Sequence, residues 1–305
     1  MTGHSNIRAK REVAMKQVSK ILLPLSSVRN ADAALIIGRN FARRFKAHLA
    51  VLHVRPDGRD IAPLAGEGLT GGMVEDLMSA AEREGARRTR EVQEVFETFA
   101  AHAGIAVVPP RIPFPQDEAS VSFNVIKGSE SEIVPFHARL SDFTLVAHPD
   151  SGDEVSSSEA LHAVLFDSGR PAVIAPREPM AHMVKRVCIA WNGTAEAASA
   201  LRGVIAWAST AERVRVLHCG DYQRRGPEAR EVVDYLSMHN ITADRVEFAP
   251  VERDVGKGLL AACKDFEADM LAMGAYSHSR LRQLILGGVT RHVLEHATLP
   301  VLMSR

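Results

Sequence analysis

The stretch RVCIAWNG at residues 186–193, followed by an alanine-rich run to Leu201, repeats the plan of KILLPLSS at residues 20–27 and the run to Leu35. Each copy begins with one basic residue, continues through apolar positions, turns on polar residues and enters a helix-like pattern. Three more matches follow in the same order. Val51-Leu52-His53 answers Val216-Leu217-His218, DFTLVA at 142–147 answers DMLAMG at 269–274, and RPAVIA at 170–175 answers LPVLMS at 299–304. Four ordered matches identify an internal duplication.

Within each copy, short runs rich in Val, Ile and Leu alternate with longer helical patterns. Continuous apolar runs suit strands buried on both faces, and the alternation implies βα units on a parallel sheet. In the second copy the pattern predicts strands near 186–191, 213–219, 244–249, 269–274 and 300–304, and helices near 195–208, 227–239, 256–267 and 288–297. The first copy has the same plan with a longer segment between its second and fourth strands. That segment holds a Gly-rich loop, Gly66 to Gly72, and a charged helical run, Val74 to Phe99, whose Glu82, Arg83, Arg87, Arg88, Arg90, Glu91 and Glu94 suit a solvated face. The expected fold is α/β, with two tandem doubly wound, Rossmann-like parallel-sheet domains of five strands each, related by a pseudo-two-fold axis. Two separate sheets are expected rather than one continuous mixed sheet. A basic extension spans 1–17, the first domain 18–178 and the second 184–305, joined by Pro176 to His182.

The 305 residues fit two domains. A hydrophobic share of 46% with 24% charged residues suits a buried core. Lys plus Arg equals Asp plus Glu at 37 each, which argues against a dedicated nucleic-acid or membrane-surface binder. The basic stretch Met1 to Lys20 lacks the apolar run of a signal peptide, and no segment approaches a membrane span. Three cysteines, Cys188, Cys219 and Cys263, read as reduced core thiols of a cytoplasmic protein.

In open parallel sheets ligands bind beyond the carboxyl ends of the strands, where strand order reverses. The second copy gathers unusual residues there: Met273 and Gly274 end the fourth strand, Ser277 follows, and Gly287-Gly288-Val289-Thr290 opens a helix. Glycine after a strand lets a ligand approach the backbone. Two glycines at a helix start expose unpaired N–H groups at the positive end of the helix dipole, which suits an anion. The Thr290 hydroxyl adds a donor or caps the helix.

These residues resemble the universal stress proteins over about residues 18 to 305. Nucleotide-binding members carry Gly, two residues, Gly, nine residues, Gly, then Ser or Thr; here Gly274, Ser277, Gly287 and Gly288 stand at that spacing, two of the four altered. The resemblance implies ATP or another adenine nucleotide, with or without Mg²⁺, held by Ala190, Asn192, Cys219, Met273, Gly274, Ser277, Gly287, Gly288, Val289 and Thr290. Asn192 replaces the acidic residue that ends the first strand of binding members. Ser277 either narrows the pocket or supplies a phosphate donor. The family also implies that the two last strands pair, Ala172–Ala175 against Val301–Ser304, making the pseudo-dimer intramolecular; further homodimerisation is open.

The first copy has Ala147 in place of Gly274, followed by His148, Asp150, Asp153 and Glu154. Negative charge and missing donors oppose a phosphate there, so its site reads as degenerate. The cluster His148, Asp150 and Asp153 reads as an acidic turn before a metal site. His53 and His218, at one repeat position, read as structural, and Trp191 and Trp207 as core or interdomain packing. Arg280 and Arg282 are either a flap over phosphates or a solvated loop. No residues pair as nucleophile and base, and the chain is expected not to be an enzyme. The expected function is stress-type regulation through nucleotide and an unknown protein partner. A nucleotide-free adaptor and a slow nucleotide hydrolase are the alternatives.

Overall fold

The computed structural model describes residues 17–29, 31–57, 70–110, 117–148, 159–180, 183–224, 226–276 and 288–305. Elements of the first half are β1 Lys20–Pro24, α1 Ala31–Phe45, β2 His48–Arg55, α2 Gly71–His102, β3 Ala106–Val107, β4 Ser120–Lys127, α3 Glu130–Ala138, β5 Phe143–Val146, α4 Glu159–Asp167 and β6 Ala172–Ile174. Those of the second are β7 Arg186–Trp191, α5 Ala195–Ala208, β8 Arg213–His218, a 3-10 turn Gly220–Tyr222, α6 Ala229–Met238, β9 Ala243–Glu247, α7 Val255–Asp265, β10 Met270–Gly274, α8 Gly288–His296 and β11 Val301–Ser304.

The strand order is β3-β4-β2-β1-β5-β6-β11-β10-β7-β8-β9. Read from either edge inward the two halves agree, apart from the two-residue β3, which gives the first half six strands against the five expected. The chain leaving α2 makes it by pairing Ala106 with Ser120 and Val107 with Val121. Every pairing between named strands is parallel except β6 with β11, where Val301 meets Ile174, Leu302 meets Val173 and Met303 meets Ala172. The expected last-strand pairing therefore exists, and it corrects the expectation of separate sheets. Two sheets that share a hydrogen-bonded antiparallel pair are one continuous mixed sheet.

Register supplies the pseudo-symmetry. Ile21 pairs with Leu49 and Phe143, and Val187 with Val214 and Met270, so residues 21 and 187 are equivalent. The same bookkeeping equates Ala172 with Val301, Val173 with Leu302 and Ile174 with Met303. Val173 and Leu302 face each other, so an approximate two-fold passes between them.

Side chains alternate across the strands, and each face builds its own core. One contains α1 and α5, with Ile21, Leu23, Val187, Ile189, Phe143 and Trp207. The other contains α4 and α7, with Leu22, Cys188, Leu161, Leu259 and Met303. The halves interlock on the first face: the Trp207 ring lies 5.7 Å from Phe41, 5.2 Å from Phe45 and 4.8 Å from Phe143. Arg44 on α1 adds hydrogen bonds to Val184 O and, at 2.6 Å, to Thr210 Oγ1. Trp207 thus packs between the halves, as expected.

The repeated Asp142 and Asp269 do the same work. Asp142 Oδ2 accepts from the amides of Ser19 and Lys20 at 2.6 and 2.9 Å, and Asp269 Oδ2 from Lys185 and Arg186 at 2.8 Å each. Asp142 ties the start of β1 to the entry of β5, and Asp269 ties the start of β7 to the entry of β10. In α2 the charged run is exposed, with Arg87 between Glu84 and Glu91. The helix starts at Gly71 because the Thr70 hydroxyl accepts from Met73 N at 3.4 Å and caps it. Gly71 and Gly72 are therefore helical rather than part of the expected loop, and the rest of that loop up to Leu69 lies outside the described residues. No described helix is long and apolar enough to cross a membrane.

Candidate functional site

From β7 the second half proceeds to β8 and β9 on one side and to β10 and β11 on the other, so strand order reverses between β7 and β10. A pocket opens there, beyond the carboxyl ends of β7, β8 and β10 and against the first turn of α8. Ala190, Asn192, Cys219, Met273, Gly274, Val289 and Thr290 line it, seven of the ten residues expected at the site. Gly288 is exposed at the first position of α8, and a Cβ added there would meet nothing within 4 Å. Ser277 and Gly287 lie outside the described residues, as do Arg280 and Arg282.

Asn192 is oriented by its neighbours. Its Oδ1 accepts from Thr194 N at 3.2 Å and from Thr194 Oγ1 at 2.9 Å. A backbone N–H can only donate, which fixes the amide's oxygen on that side. Thr194 Oγ1 in turn accepts from Ala197 N at 3.2 Å and caps α5. The Asn192 acceptor is therefore spent on the helix start, and the amide offers its NH2 to the pocket as a donor.

Gly274 has a structural reason to be glycine. A Cβ there would stand 2.5 Å from Ala197 N and 2.6 Å from the Glu196 carbonyl carbon, so the first turn of α5 occupies the space. The close approach expected of a ligand is already made by backbone.

Sequence reasoning missed Thr194, Tyr222, Phe248, Leu259 and Tyr276, which also line the pocket. Thr194 carries a helix-start signal after Asn192-Gly193; the others are ordinary apolar or aromatic positions whose convergence only the fold reveals. Trp191 borders the pocket too, although it belongs to the core and donates its indole N–H to Pro227 O at 2.9 Å. No described lining residue carries a charge. The arrangement offers apolar walls, an amide donor, hydroxyls and the N–H groups of a helix start, which suits a small molecule with an anionic end.

The equivalent place in the first half is built differently. Ser26 stands for Asn192 and Ala147 for Gly274 by register, and His148 is buried with Nε2 3.0 Å from Leu294 O of α8. His148 thus joins the halves. Asp150, Asp153 and Glu154 lie outside the described residues, and among those described no three His, Cys, Asp or Glu side chains form a metal cluster. His53 is structural: Nδ1 is 2.7 Å from Leu25 O and Nε2 is 3.1 Å from Thr89 Oγ1, and burial lowers its pKa. The three cysteines are buried and free; a hydrogen bond with Cys188, together with burial, holds the Cys263 thiol well above its ordinary pKa.

Residues 183–305 match the model of the Universal stress protein family. Over 94% of this chain and 96% of its own, a universal stress protein from Archaeoglobus fulgidus DSM 4304 superposes with TM-score 0.62 at 18% identity. A structure titled as a candidate universal stress protein from Pseudomonas aeruginosa UCBPP-PA14 covers 95% of this chain and 94% of its own, with TM-score 0.51 at 16% identity. These likenesses extend the fold across both halves. No curated protein matches the chain.

Proposed function

We propose that the second-half pocket binds ATP or a related adenine nucleotide, and that the protein is a cytoplasmic universal-stress-type regulator that responds to nucleotide without turning it over. The observation that carries this reading is the convergence of Ala190, Asn192, Cys219, Met273, Gly274, Val289 and Thr290 on one pocket at the strand-order reversal. The uncharged wall suits a nucleoside, with the start of α8 as the phosphate end. The choice of adenine rests on the family likeness.

The described lining holds no carboxylate, so Mg²⁺ would be carried by phosphates and water. Hydrolysis needs an in-line water and usually a carboxylate-held metal. Asp269 is spent on Lys185 and Arg186 at the opposite end of β10, and Glu295 pairs with Arg291 at 2.9 Å. Mass spectrometry of gently purified protein under native conditions tests the reading. The expected result is one added adenine nucleotide per chain. No adduct at saturating ATP would overturn it and favour an adaptor acting through protein contacts.

A further inference from the structure

We propose that the first half is a positioning element for the pocket of the second: His148 and α4 hold two of that pocket's walls, α8 and Tyr276, in the arrangement that takes ligand. The proposal rests on the reading of this pocket as a nucleotide site.

One wall is the start of α8, where Val289 and Thr290 line the pocket. The other end of that helix is held from the first half. His148, just past β5 and buried, has Nε2 3.0 Å from Leu294 O, and a carbonyl can only accept, so the ring donates. Arg177, just past β6, donates to Glu295 O at 3.3 Å. The last carbonyls of a helix have no partner within it, so these two donors cap α8 from outside. With 9 residues the helix is short, and anchoring its far end sets where its first turn lies.

The other wall is Tyr276, just past β10, whose ring packs edge-on against His162 at 5.5 Å and Phe166 at 5.2 Å, both on α4. Its φ of 64° is a left-handed conformation that persists for a bulky residue only where surrounding contacts over-determine it. Ala275 N, donating to Ser304 O at 2.9 Å, restrains the backbone, and the α4 rings restrain the side chain. The arrangement is reciprocal. From the ends of β5 and β10, His148 reaches α8 and Tyr276 reaches α4, each crossing to the last helix of the other half. None of His148, His162 and Phe166 lines the pocket, so they act on a ligand through its walls. Where the competent arrangement is only part of the population, affinity falls by that fraction.

Hydrogen exchange of the ligand-free full chain, paired with ATP calorimetry, tests this. His162→Ala is expected to speed exchange at the Ala275 amide, and His148→Leu at the amides of α8. Each should weaken ATP about three- to tenfold, the range of one aromatic pair or one hydrogen bond. His162→Phe restores a ring edge and His148→Gln a donor, and both return the readouts towards the parent. Phe96→Leu, a change in the core on the other face of the sheet, lowers stability and leaves both readouts unaltered. Parental exchange in His162→Ala and His148→Leu overturns the proposal, and so does faster exchange with parental ATP affinity. A loss of affinity that Phe96→Leu reproduces also overturns it, because general destabilisation then accounts for the effect. A parent chain that takes no ATP sinks the nucleotide reading alone, and exchange still decides whether the first half holds the walls.

Discussion

A methyl group on Gly274 would stand 2.5 Å from the amide nitrogen of Ala197, inside the first turn of α5. The glycine that ends the fourth strand in the sequence repeat also lets a helix start dock on the end of β10. Because backbone cannot yield as a side-chain tip can, Gly274→Ala is expected to destabilise the ligand-free protein by about 1–3 kcal/mol. Chemical denaturation without nucleotide measures it. A variant as stable as the parent would show that α5 slides freely and that the glycine serves only the ligand.

Much of the fold was legible because duplication leaves its own ruler. The matched pairs at 20 and 186, 53 and 218, 142 and 269, and 171 and 300 occupy equivalent positions in the strand register. Helix α5 has the bounds its alanine-rich pattern predicts. What stayed hidden depends on contacts between segments distant in the chain. Phe248 and Leu259 look like core positions, and only the strand order turns them into a pocket wall. Asn192 shows which residue faces the site but not which end of its amide does, because Thr194 decides that. The continuity of the sheet was misjudged although the pair that causes it, β6 with β11, was foreseen.

Ligand linkage gives the second prediction. ATP at a hundredfold excess over its dissociation constant should stabilise the protein by about 2.7 kcal/mol. Phosphate release on the same sample should remain at the buffer blank. Several turnovers per second, sensitive to a single change around Thr290, would place the protein among enzymes.

Asymmetry between the halves gives the third. With Ala147 and Ser26 in place of Gly274 and Asn192, the first half lacks the glycine and the amide donor of the second. Calorimetry should find one nucleotide per chain. Two equivalent sites per chain would contradict this.

Acid should weaken the fold through His48. Its ring is buried between Ser120, 3.0 Å from Nδ1, and Ser122, 2.9 Å from Nε2. Burial, helped by the nearby Lys20 charge, lowers its pKa from 6.5 to about 4. With the folded pKa below the unfolded one, the unfolded chain takes up the proton first. Stability is thus full above pH 6.5 and falls as pH drops through that value toward 4. A shift of that size makes the loss on the order of 1–3 kcal/mol. Denaturation at several pH values should show His48→Asn losing less between neutral and acid than the parent. An identical slope in both would remove His48 from the account.

Tyr276 tests the seam between the halves. It follows β10 with φ of 64°, an uncommon backbone for a bulky residue, and its ring stands edge-on to His162 at 5.5 Å and to Phe166 at 5.2 Å, both on α4 of the first half. The residue also lines the pocket of the second half. Its hydroxyl is buried with no partner among the described residues, and that burial raises the phenol pKa. Removing an unsatisfied buried group while keeping the ring costs nothing in packing, so Tyr276→Phe should match the parent or exceed it by about 1 kcal/mol. Tyr276→Ala deletes both edge-on contacts and should cost about 3–5 kcal/mol. Paired denaturation curves separate the two. A Phe variant less stable by more than about 1 kcal/mol would show that the hydroxyl is satisfied in solution, by a water or a bound ligand, and that its solitude is not a property of the working protein.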